Sequence, residues 1–542
     1  MMGRLALVPR LWRTVRHLRP VQIFHRLWLH VPRPLPSVAG PPPRRQRSTG
    51  WTAPAERGPS LIGPRRFRFL GREEELADIG WDGPGPDKLW RYNQHYFDDL
   101  AAAGAKARSD WHRSLIADWI AANPPGRGTG WEPYPTSIRI VNWIKSDLAG
   151  NRLSDEAVLS LAIQARWLAR RLEWHLLGNH LFANAKALVF AGLFFDGPEA
   201  NSWLARGRSI LEREIAEQIL PDGGHFELSP MYHSLALEDL LDLLNLSRAF
   251  GRADLAAAWS EPIPRMMAWL QAMTHPDGGI AFFNDSALGI APEACELYRY
   301  AERLGFQRPA AAPAMALLRD SGYIRLSAGE FVVIGDLGPV GPDYLPGHAH
   351  ADTLSFELSF ADQRVFVNSG TSEYGTGPER HRQRGTAAHN TVVVAGENSS
   401  EVWAGFRVGR RARPEKVMVE DRKGTLHAEA CHDGYRYLPG APKPHRSFDL
   451  ERDRFSVADS VSPGHEAEAR FHLHPAIELA ELTNEGAVLM LSGRAALRLG
   501  FSGGAPRLEN TSWHPQFGIS QPNLCLVLPL ADGRSSLTVT KS

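Results

Sequence analysis

Cysteine is scarce in this chain, with Cys295, Cys431 and Cys525 the three found in 542 residues. They are far apart and odd in number, which argues against a disulfide framework and against a cysteine-rich metal cluster; small buried core residues are the expectation. A dominant charge is missing as well, since 61 Lys+Arg stand against 60 Asp+Glu. With no global field, nucleic acid is excluded as an expected partner and an acidic ligand has to be recognised locally. Long apolar runs are also absent. None approaches the roughly 18 residues that span a membrane, and the N-terminus has no uninterrupted apolar stretch of the roughly 7–15 residues a signal peptide needs. The default expectation is a cytoplasmic protein without a membrane span, with the periplasm left open.

What the chain does have is length and periodicity. A single core usually stops growing near 250–300 residues, so two large domains are expected. Residues 1–65 read as a basic arm followed by a linker. Arginines at 4, 10, 13, 16, 19, 26 and 33 are mixed with apolar residues, as in a docking helix or a segment that rests on a membrane face or a partner. Pro32 to Arg65, with Pro41, Pro42 and Pro43 before Arg44 and Arg45, reads as extended.

Residues 66–318 read as helical. Val141, Ile144 and Leu148 share one helix face, Leu161, Leu168 and Leu172 continue in the next segment, and Ser154 is placed to cap it. Further runs cover 183–195, 204–220, 234–250 and 255–273, the last broken by Pro262 and Pro264. Serial helices with short connections suggest pairs stacked around an axis. Residues 319–542 change period. Leu354, Phe356, Leu358 and Phe360 alternate with Thr353, Ser355, Glu357 and Ser359, the signature of a half-buried strand. Similar runs downstream suggest an antiparallel β-sandwich.

Four clusters carry side chains of catalytic type. The first, Gly178-Asn179-His180, opens an apolar helix that Asn179 could simply cap. The second, Asp222 to His233, contains Tyr232 in a turn leading to a helix. The third, Gly347-His348-Ala349-His350-Ala351-Asp352, would put both histidines on one face of a strand. Two histidines alone do not make a zinc site, which takes at least three protein ligands. The fourth runs from Asn368 through Tyr374 to Ala388-His389-Asn390-Thr391.

Taken in order, Trp90-Arg91-Tyr92-Asn93-Gln94-His95-Tyr96-Phe97 and these four clusters resemble the heparinase II/III family, over roughly residues 85–530. The resemblance implies an incomplete α/α toroid followed by an antiparallel β-sandwich. It also implies a polysaccharide lyase that cleaves an acidic, uronate-containing glycan by β-elimination. In such a lyase Asn179, with His180 beside it, neutralises the uronate carboxylate. Tyr232 donates a proton to the leaving O4 and, for some substrate stereochemistries, also acts as base. His348 abstracts the C5 proton or assists there. No cofactor is required, although related enzymes can hold a structural zinc at positions that read His350, Asn368 and His389 here. Asparagine at 368 removes the anionic ligand, which weakens the case for the metal.

The chemistry agrees with these residue types. A proton α to a charged carboxylate is hardly acidic, so the carboxylate must be neutralised first, and fixed donors do that best. A tyrosine with a pKa near 10 is a poor base unless a cation lowers it, which makes Arg139 or a histidine a candidate neighbour. Asn93, Tyr96, Trp131, Tyr134, Arg139 and Tyr374 are the candidate glycan contacts. Two other readings compete. A hydrolase would need paired carboxylates, for which Asp222, Glu227 or Asp285 are available. A glycan-binding protein of an exopolysaccharide system would need no catalyst.

Overall fold

The computed structural model describes residues 2–31, 34–462, 464–491 and 495–541. Helices dominate the first half and strands the second. A small three-stranded sheet of Leu61–Gly63, Arg66–Phe69 and Arg72–Glu75 stands where helix was expected from residue 66. The helix Gly178–Phe194 is the hub of the toroid, with Pro133–Leu148, Asp155–Ala169, Pro198–Gln218 and Pro230–Ala249 packed around it. Its sequence is mostly apolar, and from Leu181 onward every residue is buried, as expected of a helix surrounded by others, with Asn184 and Lys186 bonded to Ser137 and Asp239. Ser154 caps Asp155–Ala169 by accepting from the Ala157 amide, and Ser229 caps Pro230–Ala249 by accepting from the Tyr232 amide. The expected break at Pro262 separates Ala253–Ser260 from Ile263–Ala272.

The stretch expected to be a linker is extended, but it is a belt tied to the toroid. The Arg45 amide donates to the Phe194 carbonyl and the Ser48 amide to the Ala249 carbonyl, while the Arg47 guanidinium donates to the Leu148 carbonyl. Each acceptor is the last residue of a helix. The belt thereby satisfies carbonyls that a helix end leaves without an internal partner.

The second half holds antiparallel sheets of eight, five and four strands. The five-stranded sheet begins at Met315–Leu318, which pairs with Tyr323–Ala328, so the β half starts slightly before residue 319. Its apolar side, including Phe356, Leu358 and Phe360, faces the sandwich core. One expectation fails here. Phe356–Phe360 is buried on both faces, because Glu357 and Ser359 on its polar side meet His275 of the helical half. The alternation marks a domain interface, where polar groups find partners across the contact, and not a solvent face.

Candidate active site

The site forms where the loop carrying Asp285, the β-half loops around His348 and residues 371–374, and the short helix Pro378–Arg384 meet the N-terminal ends of two toroid helices. Gly178 opens the first helix with a φ of +53°, and a Cβ there would lie 2.3 Å from the Leu345 side chain. The positive φ favours glycine here, and any Cβ would have to push the Leu345 side chain of the loop carrying His348 aside. Leu177, Leu228, Asn284 and Leu354 also hold left-handed backbone, with φ of 64°, 57°, 55° and 63°. Each lies within two residues of a polar group of the site or its support, the kind of place where strain is retained.

At the centre is Asp285, fully buried. His348 Nδ1 lies 3.0 Å from its Oδ2 and His350 Nε2 lies 2.8 Å from its Oδ1. The Arg380 guanidinium donates to both oxygens, at 2.8 Å for Nη2 to Oδ2, and the Thr371 hydroxyl adds a bond of 3.2 Å. Burial alone would raise this carboxyl; Arg380, His348 and His350 outweigh it and hold the group well below the ordinary carboxylate range. An ionised Asp285 can only accept, so Nδ1 of His348 carries the proton of their bond. The two histidines sit in a loop and not on one face of a strand as expected, and both bond the Asp285 carboxylate.

Tyr232 stacks on His348 with ring centroids 3.9 Å apart, and its hydroxyl is 2.9 Å from that of Tyr374. Burial first, then Tyr374 and Asp285, push the Tyr232 hydroxyl well above a tyrosine's usual pKa. The hydroxyl therefore keeps its proton, which fits a donor and not a base. Arg139 cannot lower it. That side chain is fully buried in the toroid wall, bonded to Gln164 and the His95 carbonyl and stacked 3.8 Å from the Trp119 ring.

Asn179 lies in the first turn of its helix and lines a cavity together with Tyr134, Lys186 and Tyr232. It does not occupy the cap position, which belongs to Leu177. His180 bonds Glu173 at 3.1 Å and lies 4.5 Å from the Tyr134 ring. Burial lowers its pKa, but the Glu173 carboxylate outweighs that and raises it. Glu227 is buried beside this group, with Oε2 3.6 Å from His348 Nε2, and neither of its oxygens has a hydrogen bond of regular geometry. Burial raises its carboxyl above the usual range.

The remaining expectations divide. Tyr134 and Tyr374 adjoin the site, and Tyr96 reaches it through Tyr134, with ring centroids 6.0 Å apart. Asn93 bonds the Leu89 carbonyl of its own helix and lines a separate small cavity. Trp131 is a core residue, 3% exposed, with its indole N–H given to the Asn123 carbonyl; neither it nor Arg139 can touch a sugar. Asp222 is occupied by the Ser321 amide and hydroxyl and the Asp320 amide, and Asp285 is locked in its ion pairs. No free pair of carboxylates is left for hydrolysis among these three.

The metal expectation needs correcting in one ligand. Asn368 is used up, its Oδ1 accepting from the Asn390 amide and its Nδ2 donating to the Phe282 carbonyl. His350, His389 and Asp352 instead offer ligand atoms within 4.8 Å of one another, all three residues buried. Nδ1 of both histidines has no hydrogen-bond partner. The donor set suits zinc, since two imidazoles and a carboxylate are among its usual ligands.

Sequence reading missed the roles of Asp285 and Arg380. A faint signal for Asp285 is an acid two residues after the apolar run Ala281-Phe282-Phe283. Arg380 had none, because it sits among the charged residues of Pro378–Arg384.

Comparison with known proteins gives a consistent picture. The Heparinase II/III N-terminus profile matches residues 89–303 and the Heparinase II/III-like, C-terminal profile matches 310–535. Heparin-sulfate lyase of Bacteroides stercoris is 30% identical over 265 residues, covering 45% of this chain and 40% of the lyase. The match thus spans well under half of that lyase's length. FtsZ-localized protein C of Caulobacter vibrioides is 28% identical over 449 residues, 76% of this chain and 74% of that protein. Among solved structures, heparinase III superposes with a TM-score of 0.67 at 17% identity, covering 88% of this chain and 80% of its own.

Proposed function

Since the chain belongs to the heparinase II/III family, we propose that it is a polysaccharide lyase that cleaves a uronate-containing glycan by β-elimination in the cleft between its two halves. The observation that carries this reading is the pairing of a protonated Tyr232 with an Asp285-bound His348 across that cleft. His348 Nε2 takes the C5 proton, and Asp285 stabilises the imidazolium that results. The Tyr232 hydroxyl gives its proton to the departing O4. Glu227, with Oε2 3.6 Å from His348 Nε2, flanks the imidazole on the side that takes the proton. Asn179 donates to the uronate carboxylate as charge moves onto it. A fixed donor of this kind is worth about 10²–10³ in rate.

The acidic polysaccharide is proposed on the same ground, the relatives named heparin-sulfate lyases. We further propose that His350, Asp352 and His389 hold a structural zinc. Bound there it would stiffen the loop that carries His348 and take no part in proton transfer. Elemental analysis should find about one zinc per chain, lost in His389→Ala; metal-free wild-type protein would remove the proposal.

The experiment that tests the function is a panel of heparan, chondroitin, hyaluronan, alginate and bacterial exopolysaccharides followed by ultraviolet absorbance. Elimination leaves a conjugated unsaturated uronate, and hydrolysis does not. Tyr232→Phe should lower the rate by about 10²–10⁴ with folding and glycan binding kept. A second reading has one observation in its favour. The match to FtsZ-localized protein C extends over 76% of the chain, against 45% for the B. stercoris lyase. On that reading the cleft holds glycan without cleaving it, as part of a localised protein assembly. Tight glycan binding with no unsaturated product from any polymer would favour it.

A further inference from the structure

Fourteen large apolar side chains stand exposed among the described residues, and eleven of them lie between Val8 and Val38. A soluble surface scatters such residues singly; a concentration of them marks an interaction site. The same stretch carries charge of one sign. No aspartate or glutamate precedes Glu56, while ten arginines do.

The arm is held in a fixed orientation. In the helix Met2–Val15, Arg10 and Arg13 bond Glu401 at 2.8–3.1 Å, and Thr14 accepts from the Trp403 indole. In the helix Pro20–Trp28, Gln22 donates to the Tyr344 carbonyl, and the preceding Arg19 pairs with Glu217 and lies 3.6 Å from the Tyr344 ring. These anchors fix which side of the first helix is left over. Val8, Trp12 and Val15 fall opposite Arg10, Arg13 and Thr14 at helical spacing, and Val8 and Trp12 are 67% and 66% exposed. Ile23, Phe24 and Leu27 add exposed apolar side chains on the second helix, at 48%, 58% and 69% exposure. Arg16 and Arg26 stand exposed beside it, and neither forms an ion pair with a carboxylate among the described residues.

We propose that these two helices are a docking surface for an anionic lipid bilayer. Apolar side chains flanked by unneutralised arginines match the two layers of such a surface, acyl chains beneath anionic headgroups. No described helix is long and apolar enough to cross a membrane, so the helices lie in the interface plane. The anchors at Tyr344 and Glu401 tie the surface to the loops around His348, so the bilayer sets how the cleft is presented. This inference does not depend on the reaction proposed for the cleft.

The test is flotation of the full chain with vesicles of phosphatidylcholine alone or of phosphatidylcholine with phosphatidylglycerol. Wild type should partition at least about tenfold better to the anionic vesicles, with the preference fading as salt is raised. Trp12→Ser/Phe24→Ser/Leu27→Ser should lose at least about tenfold in partitioning at an unchanged melting temperature. Arg16→Glu/Arg26→Glu, which leaves every anchor in place, should do the same should the triple variant fail to fold. Equal flotation with both vesicle types, or a folded variant that floats like wild type, overturns the proposal. So does a wild-type dimer that dissociates in the variants without any vesicle binding, which would make a second copy of the chain the occupant.

Discussion

Asp285 does more for this site than any residue that would touch substrate. Arg380, His348, His350 and Thr371 all converge on it. Asp285→Asn would leave Arg380 as a buried, uncompensated charge, so it should cost about 3–5 kcal/mol of stability. It would also free the His348 ring to take the wrong tautomer. The pH dependence follows from the sign of the shift. A carboxyl whose folded pKa lies below its unfolded value near 3.9 stabilises the protein at every pH above that value. The contribution shrinks only as pH falls from about 4 toward the depressed folded pKa. Urea unfolding across pH should therefore show a constant gap between wild type and Asp285→Asn above about pH 5, narrowing in stronger acid. A gap that closes near pH 6 would mean that the histidines, and not Asp285, carry the effect. At this scale the sequence yielded Asn179, His180, Tyr232 and His348 as a group because each stands in a short local motif. It hid Asp285 and Arg380 because their meaning comes from a pairing across 95 residues, which local spacing does not encode. Trp131 and Arg139 were misread for the converse reason: aromatic and cationic residues serve sugars and cores alike, and only burial separates them.

Among the elements, the helix Pro230–Ala249 aims the chemistry. Ser229 caps it through the Tyr232 amide, and its hydroxyl also donates to the Asp285 carbonyl at 2.6 Å. One side chain thus ties the tyrosine's helix to the loop that holds the carboxylate. Ser229→Ala should lower stability by about 1 kcal/mol, as lost caps do. It should also reduce kcat more than it raises KM, since the misplaced Tyr232 matters only when O4 departs. Thermal melting and steady-state kinetics on the same preparation would check both; a stability loss with unchanged kcat would leave Ser229 as a cap alone. The helices were readable because their periodicity is local and strong, and Ser154 even announced its cap. The belt over residues 34–60 was readable as extended but not as attached. Two of its ties are backbone amides, of Arg45 and Ser48, reaching helix-terminal carbonyls, and no side-chain pattern records those.

The whole molecule depends on the polar side of one strand. The sequence showed Ser355, Glu357 and Ser359 alternating with apolar residues, and alternation by itself means water on one side. In the folded chain that side is the junction of the two halves. Glu357 Oε2 is 2.9 Å from His275 Nε2 and accepts from the Phe282 amide at 3.0 Å, while Oε1 accepts from the Asn368 amide at 2.8 Å. Phe282 precedes Asp285 by three residues and Asn368 precedes Thr371 by three, so this carboxylate joins the halves and supports the site together. A polar junction this deeply buried has no solvated resting state, and separating the halves would expose unpaired groups costing several kcal/mol. The halves should therefore unfold in one calorimetric transition, despite having two apolar cores. Glu357→Gln keeps the shape but turns one acceptor oxygen into a donor that faces other donors. It should lower the midpoint of that single transition by an amount worth about 2–4 kcal/mol. Two separate transitions in the wild type would show that the interface is dispensable for stability, and the cleft would then have to be held by substrate alone.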